Sequence, residues 1–475
     1  MTRDAHRQSR RPRSRSPIAL LAAAGTAALL ALGGAGLGAT SAANAAPSPG
    51  PEGQMYGVSV PGQALIGAKG PIKNGGWTAW SGTYQVPGGG QGYCADHGLL
   101  APNNATGYAP GGELTTKSGT PISAQARAEL AYILYASNAT VRSAQNGGST
   151  SVANETAAAA SYLLHELTGP TPQYPLGSNV PAKDVGFDAA WYRAAFLAKP
   201  ATAGVVNKID QLRADGKAYA GPWTLTVRSE KQDPLAGETV PFTASVTARN
   251  GAGVPGVSVA LAAEHLTGVP GSITTGRDGT ATFSAVLGDR AGSVTASASA
   301  PADSVRVLRP TGVAPGKNVQ RIVVVEEPGK ISAVTQAVPR PATVTTSAGN
   351  QVDGDRVLPP EGGVIVDRVS YTGLLPGATH TLRGELFFQD SAESTGITAE
   401  RTFVPETRDG VVDLEFTVPP GYGGRSLVVY EWVSSADGRL LAEHTDIDDE
   451  AQTVTLDPVE LSTSASDQAD GDRVL

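Results

Sequence analysis

Cysteine is almost missing: the 475-residue chain has one, Cys94. An intramolecular disulfide is therefore excluded, and so is a disulfide-stapled scaffold. One thiol and scattered histidines give no metal-ligand spacing, and no metal or cofactor site is expected. Aromatic residues make up 5% and charged residues 17%. Basic runs are confined to the N-terminus, where the first 46 residues hold six Arg and one Asp. Without them the formal net charge moves from -8 to about -13, an acidic balance that excludes nucleic acid as a partner. Beyond Ala39 no second long apolar run and no wall-sorting signal follow.

Glycine and proline are abundant, at 58 and 34, which suits many short strands and turns. The length points to three or four domains at roughly 100–200 residues each. Arg3, Arg7, Arg10, Arg11, Arg13 and Arg15 precede an apolar stretch from Ile18 to Ala39, and Ala43-Asn44-Ala45 follows. Basic region, apolar region and A-x-A site are the three parts of an export signal, so residues 1–45 are read as a cleaved signal peptide and the rest as secreted.

Residues 50–221 predict an α+β head: short strands and glycine turns up to Tyr93, then helical spacing. Ile122, Ala126, Leu130, Ile133 and Leu134 mark one helix, and Ala159, Leu163 and Leu167 a second. Asp188–Leu197 mark a third that Pro200 should end, and Val205–Arg213 a fourth. From Trp223 the period changes to two. Val240, Phe242, Ala244, Val246 and Ala248 alternate with polar residues, and Asn250-Gly251 and Asp278-Gly279 supply turns. Residues 222–310 thus predict an antiparallel sandwich. Gly253-Val254-Pro255-Gly256-Val257 and Thr275–Phe283, followed by Ala291–Ala296, resemble bacterial Ig-like domains of the invasin type. That resemblance implies a spacer. Residues 311–340, with one strand candidate at Arg321–Glu326, read as a linker.

An internal repeat begins near Pro341. Thr345–Leu358 returns as Ser462–Leu475, an offset of 117 residues. Residues 341–459 therefore read as one complete repeat and 460–475 as the start of another, part of a longer tandem array. Three segments of the complete repeat carry chemistry. Val344, Thr346 and Ala348 share a strand face, so the Thr346 hydroxyl points inward. Glu431 interrupts the apolar strand Leu427–Trp432, where a carboxylate is costly and its pKa should rise. Gln452, Val454 and Leu456 share another inward face. A hydroxyl, a carboxamide, His444 and buried acids are the parts of acyl transfer. Taken singly, Asp446, Asp448, Asp449 and Glu450 would also suit calcium.

His444-x-Asp446-x-x-Asp449-x-x-Gln452-Thr453-Val454, preceded by Val428-Val429-Tyr430-Glu431 and Val366–Tyr371, resembles the VaFE repeats of Gram-positive surface proteins. These include the Thr–Gln ester-bond domains of adhesins. The resemblance implies a single-turnover, autocatalytic ester between Thr346 and Gln452 rather than enzymatic turnover. It implies that His444 takes the hydroxyl proton and passes one to the leaving amine. It further implies that Glu431 and Asp449 sit together sharing a proton, with Asp367 orienting the group.

In the head, Gly92-Tyr93-Cys94-Ala95-Asp96 followed by an Ala-rich helix resembles the thioester domains of Gram-positive adhesins. In those, a Cys bonds a Gln side chain. Aligned on the helix, Ser161 stands at the Gln position and His165 at the Trp position, while Gln125, on an earlier helix, is a weaker substitute. Four readings stay open for Cys94: a thioester-like fold without the bond, a thioester with an unassigned Gln, a hydrolase pairing Cys94 with His165 or His97, and a structural cysteine.

The expectation for the whole chain is a multi-domain, mostly β protein. An α+β thioester-like head is followed by an Ig-like β-sandwich and an ester-bond β-sandwich repeat. The expected role is a wall-anchored, adhesin-like surface stalk whose head meets an unidentified extracellular ligand or host surface. The alternative is an extracellular cysteine-dependent hydrolase with sandwich spacers.

Overall fold

The computed structural model describes residues 54–62, 66–67, 70–71, 78–86, 90–169 and 186–464. The signal peptide expected at 1–45 lies outside the described residues, as does the repeated segment from 465 onward. The fold is mostly β. Among the described residues no helix is long and apolar enough to cross a membrane.

The chain opens with β1 (Gly57–Pro61), β2 (Ile66–Gly67), β3 (Gly70–Pro71), β4 (Thr78–Gln85), β5 (Gln91–Cys94) and β6 (Gly107–Pro110). β1 and β4 meet at Gly57 and Gly82. A Cβ on Gly57 would stand 2.2 Å from the Ser81 carbonyl oxygen, so only glycine allows this approach. Four helices follow: α1 (Ala124–Gln145), α2 (Thr150–Thr168), α3 (Ala189–Leu197) and α4 (Pro200–Tyr219). Ser123, Ser149 and Asp188 cap the first three by accepting a backbone N–H. Pro200 does not merely end α3; it starts α4 within the first turn, where its missing N–H costs nothing. α2 is central. Its run Ala157–Ala160 is wholly buried, small enough for β4 on one side and α1 and α4 on the others.

The sandwich follows with β7 (Thr224–Ser229), β8 (Thr239–Thr247), β9 (Ser258–Glu264), β10 (Leu266–Thr267), β11 (Ser272–Thr274), β12 (Thr280–Leu287) and β13 (Gly292–Ala300). The period-two pattern acts as expected: Val240, Phe242, Ala244 and Val246 point inward, and Phe242 stacks on Phe283 of the neighbouring strand, centroids 5.2 Å apart.

The segment expected to be a linker is structural. β14 (Val305–Thr311) and β15 (Ile322–Val325) leave the sandwich and return to the first sheet, giving the order β1-β4-β5-β15-β14-β6. β16 (Gly329–Ala337) then goes back and pairs along all of β13. The chain thus passes from head to sandwich, to head, to sandwich. The strand candidate at Arg321–Glu326 is a strand, and its Ile322-Val323-Val324 is buried on both faces, so its sequence carries no alternation to show which sheet it joins. The return is locked by Arg321. Its guanidinium donates to both oxygens of Asp96 at 2.7 and 2.9 Å and to the Thr115 hydroxyl at 2.9 Å. Tyr132 and Tyr135 of α1 also pack on Trp223 at the start of the sandwich.

The last unit holds β17 (Thr343–Asn350), β18 (Val357–Leu358), β19 (Gly363–Thr372), β20 (His380–Phe388), β21 (Ser394–Phe403), β22 (Gly410–Val418), β23 (Ser426–Ser435), β24 (Leu440–His444) and β25 (Thr453–Leu456). One sheet is β17-β19-β22. The other is β18-β25-β23-β20-β21, with β24 also on β23. β25 covers Ser426–Val428 of β23 and β24 covers Glu431–Ser434, leaving a gap in that edge beside Glu431.

The double crossing predicts a test by truncation. Residues 54–302, lacking β14 and β15, should unfold without the cooperative transition of residues 54–340, as followed by circular dichroism during heating. If the head transition were the same in both, 311–340 would be a linker after all.

Candidate cross-linking centre

The reactive side chains reach one point from both sheets. On β17, Val344, Thr346 and Ala348 face inward, as strand parity requires. On β19 the inward row is Ile365, Asp367, Val369 and Tyr371, with a carboxyl in an otherwise apolar file. Asp367 lies opposite Ala348, whose methyl leaves room, and its carboxylate reaches along the strand to Thr346. The Thr346 hydroxyl donates to Asp367 Oδ1 at 2.5 Å. From the facing sheet comes Glu431, fully buried, with Gly384 on one flank and His444 on the other. A side chain at Gly384 would strike Phe416 at 2.4 Å.

Glu431 touches both partners of the expected ester. Its Oε2 accepts from Gln452 Nε2 at 2.7 Å, and its Oε1 lies 3.4 Å from Thr346 Oγ1. Gln452 is fully buried, on a short 3-10 turn, Glu450–Gln452, between β24 and β25. Asp449 caps that turn by accepting the Ala451 N–H at 2.7 Å. Gln452 Oε1 is buried and accepts no hydrogen bond among the described residues, and neither does His444 Nδ1 make one.

Burial pushes the Glu431 carboxyl up to about 11, with the adjoining Asp367 charge and hydrogen bond adding to it. Asp367 is also raised by burial, but hydrogen bonds from Glu431 and Thr346 and the nearby His444 oppose that. The two adjoining carboxyls hold one proton between them at neutral pH, and it resides on Glu431.

Two expected roles change. Glu431 is not paired with Asp449. The His444 ring stands between them, Nε2 3.2 Å from Asp449 Oδ2 and Nδ1 4.0 Å from Glu431 Oε2. The reason is register: β24 puts His444 directly opposite Glu431, while Asp449 is used by the turn. His444 is not the group on the Thr346 hydroxyl; Asp367 is. Asp367, expected to orient the site, is central to it. The acidic run after His444 does not gather around a point, and no metal-binding cluster of His, Cys, Asp or Glu occurs among the described residues.

Among the described residues of the head, no comparable centre is gathered around Cys94. Tyr93 faces the helices, its hydroxyl donating to Ser137 Oγ of α1 at 2.8 Å. By parity Cys94 faces the other side of the sheet, where its thiol is hydrogen-bonded to Tyr84 and burial holds its pKa well above the usual thiol value. Ser161 and His165 are on α2, behind the sheet from that thiol. His165 hydrogen-bonds the backbone of Cys94. Burial lowers His165 to about 4 and His97 well below the ordinary imidazole value, so both are neutral. Gln125 is exposed and donates to Glu129 at 2.8 Å.

A family described as the T-Q ester bond containing domain matches residues 342–456. No curated protein matches the sequence. Among solved structures, a Mobiluncus mulieris adhesin containing intramolecular disulfide, isopeptide and ester bond cross-links is similar at 17% identity. The match covers 25% of this chain and 58% of that one, TM-score 0.21. The Yersinia pseudotuberculosis adhesin InvE is similar at 14% identity over 49% of this chain and 58% of that one, TM-score 0.20. The chain thus spans less than two thirds of either structure.

Two outcomes follow from these environments. In Thr346→Ala, stability should fall as pH rises from about 5 to about 9, because the unfolded chain releases the Glu431 proton near 4.5 while the folded chain keeps it until about 11. Melting curves across that range check the sign, and adding Glu431→Gln should remove most of the slope. Second, native Cys94 should resist iodoacetamide and react once the chain is unfolded; prompt native alkylation would contradict the buried placement.

Proposed function

We propose that residues 341–459 form an intramolecular ester between Thr346 Oγ1 and Gln452 Cδ, and that the chain is an adhesin-like, cell-surface stalk strengthened by it. The observation that carries this is the single carboxyl of Glu431 touching both the hydroxyl and the carboxamide. The match of residues 342–456 to the ester-bond family supports it.

Asp367 accepts the Thr346 proton as Oγ1 attacks Gln452 Cδ. The tetrahedral centre collapses with loss of the Cδ–Nε2 bond. Glu431 gives its proton to the departing nitrogen and regains one from Asp367. The proton that leaves on ammonia is the one Glu431 held, the Thr346 proton replaces it by way of Asp367, and the carboxyl pair ends as it began. Proton transfer inside a dry pair of acids needs no water. His444 and Asp449, with side chains 21% and 27% exposed, form the solvent-facing wall through which ammonia departs. The reaction runs once per chain, so this is self-cross-linking and not enzymatic turnover.

Thr346 is on the first strand and Gln452 adjoins the last, on opposite sheets. The bond therefore closes a loop of about 100 residues, contributing roughly 4–5 kcal/mol in the chain-entropy account. Tension entering at one end of the unit leaves at the other through a covalent bond instead of through ladder hydrogen bonds. In this reading the sandwich is a spacer. The head contacts an extracellular ligand or host surface, and the stalk continues to the cell wall.

Intact-mass measurement of the folded chain should show a deficit of one ammonia, with peptide mapping joining the Thr346 and Gln452 peptides. Thr346→Ala and Gln452→Ala should each restore the full mass, and Thr346→Ala should melt roughly 15–20 °C lower in this unit. An undiminished wild-type mass would refute the ester.

A further inference from the structure

We infer that Arg356, on the segment leaving the nucleophile strand, is a positioning residue for the ester-forming reaction; this rests on the cross-linking reading above. Thr346 and Asp367 are on paired strands whose ladders fix them. Gln452 is not so placed. It ends a three-residue turn, and a turn of that length has little rigidity of its own. Most of its restraints are internal to the loop: Ala451 N–H to Asp449 Oδ1, Gln452 N–H to the Asp449 carbonyl at 3.1 Å, and Thr453 Oγ1 to the same carbonyl at 2.8 Å.

Arg356 supplies a restraint from outside. Its Nη1 donates to the Glu450 carbonyl oxygen at 2.7 Å, the same oxygen that accepts the Thr453 N–H closing the turn. Its own backbone is anchored, since the Arg356 carbonyl accepts the Thr455 N–H at 2.9 Å and β18 begins at the next residue beside β25. The chain leaving Thr346 thus reaches across to hold the turn that presents Gln452. Among the described residues Arg356 makes no ion pair, so a surface salt bridge does not explain it.

The internal repeat points the same way. Gly354-Asp355-Arg356-Val357-Leu358 returns unchanged as Gly471-Asp472-Arg473-Val474-Leu475. Around it Gly349, Asn350 and Val352 become Ser466, Asp467 and Ala469. Val352 is 90% exposed and changes; Arg356 is also exposed and does not, in company with the exposed Gln351, Asp353 and Asp355. A displacement of an attacked carbon by about 1 Å is enough to slow a positioned reaction up to a hundredfold. Arg356 touches no reacting atom, so its effect falls on how fast the ester forms, not on whether it forms.

The test uses the full chain, synthesised in a short cell-free pulse and followed by time-resolved intact mass. Arg356→Ala should slow ammonia loss roughly ten- to hundredfold and still reach the wild-type end point, with Arg356→Lys in between. Fold integrity is read separately: Thr346→Ala/Arg356→Ala should melt within about 2 °C of Thr346→Ala. A rate for Arg356→Ala within about twofold of wild type overturns the inference. So does a double variant melting far below Thr346→Ala, because the lost rate would then be lost structure. A wild-type chain that releases no ammonia refutes the cross-link itself, and that result is seen before any variant is compared.

Discussion

The carboxyl of Glu431 is enclosed between two sheets and fully buried, and the rest of the last unit is arranged around that constraint. Burial keeps the group protonated at neutral pH. A neutral acid can lie against Asp367 without repulsion, donate to it, and still accept the Gln452 amide. The gap in the edge of β23, between β25 and β24, gives the carboxamide and His444 access to it. Small residues make the room: Gly384 beside Glu431 and Ala348 opposite Asp367. An ionised Glu431 in the same place would need a cation or several donors, and the inward rows of both sheets offer apolar side chains instead.

The other end of the described chain is held together by backbone pairing, an ion pair and ring contacts. A head joined to its neighbour by a single strand would swing freely. Here the backbone crosses between the two sheets three times, Arg321 fixes the return to Asp96, and aromatic rings fill the seam. The side chains of Arg321 and Asp96 are 14% and 5% exposed, and the guanidinium donates to two carboxylate oxygens, which is the geometry in which a buried ion pair specifies one arrangement. The same return strand extends the sheet past β5, with Ile322 beside Cys94, and the lone thiol is a buried core residue.

Much was legible before any coordinates. Period-two alternation named the sandwich strands, and the inward parity of Thr346 and Gln452 followed from Val344, Ala348, Val454 and Leu456. What escaped had physical causes. β15 escaped as a return strand because an apolar run buried on both faces looks the same wherever its partners are. β16 escaped because its outward side chains, Val334 among them, blur the alternation. Arg356 escaped because a hydrogen bond to a distant carbonyl leaves no pattern in sequence.

The sequence by itself determined which groups could react: one hydroxyl, one carboxamide and acids on inward faces, since a strand's side chains alternate irrespective of its neighbours. It also determined that no disulfide could hold the chain. Only the tertiary structure decided who partners whom. Register set His444 against Glu431 and Asp367 beside Thr346, and the packing of one sheet on the other set Glu431 against Thr346, because contacts between sheets depend on twist and spacing that no single strand encodes. For the same reason Cys94, for which the sequence left reactive and structural readings open, is buried by the face on which it was laid.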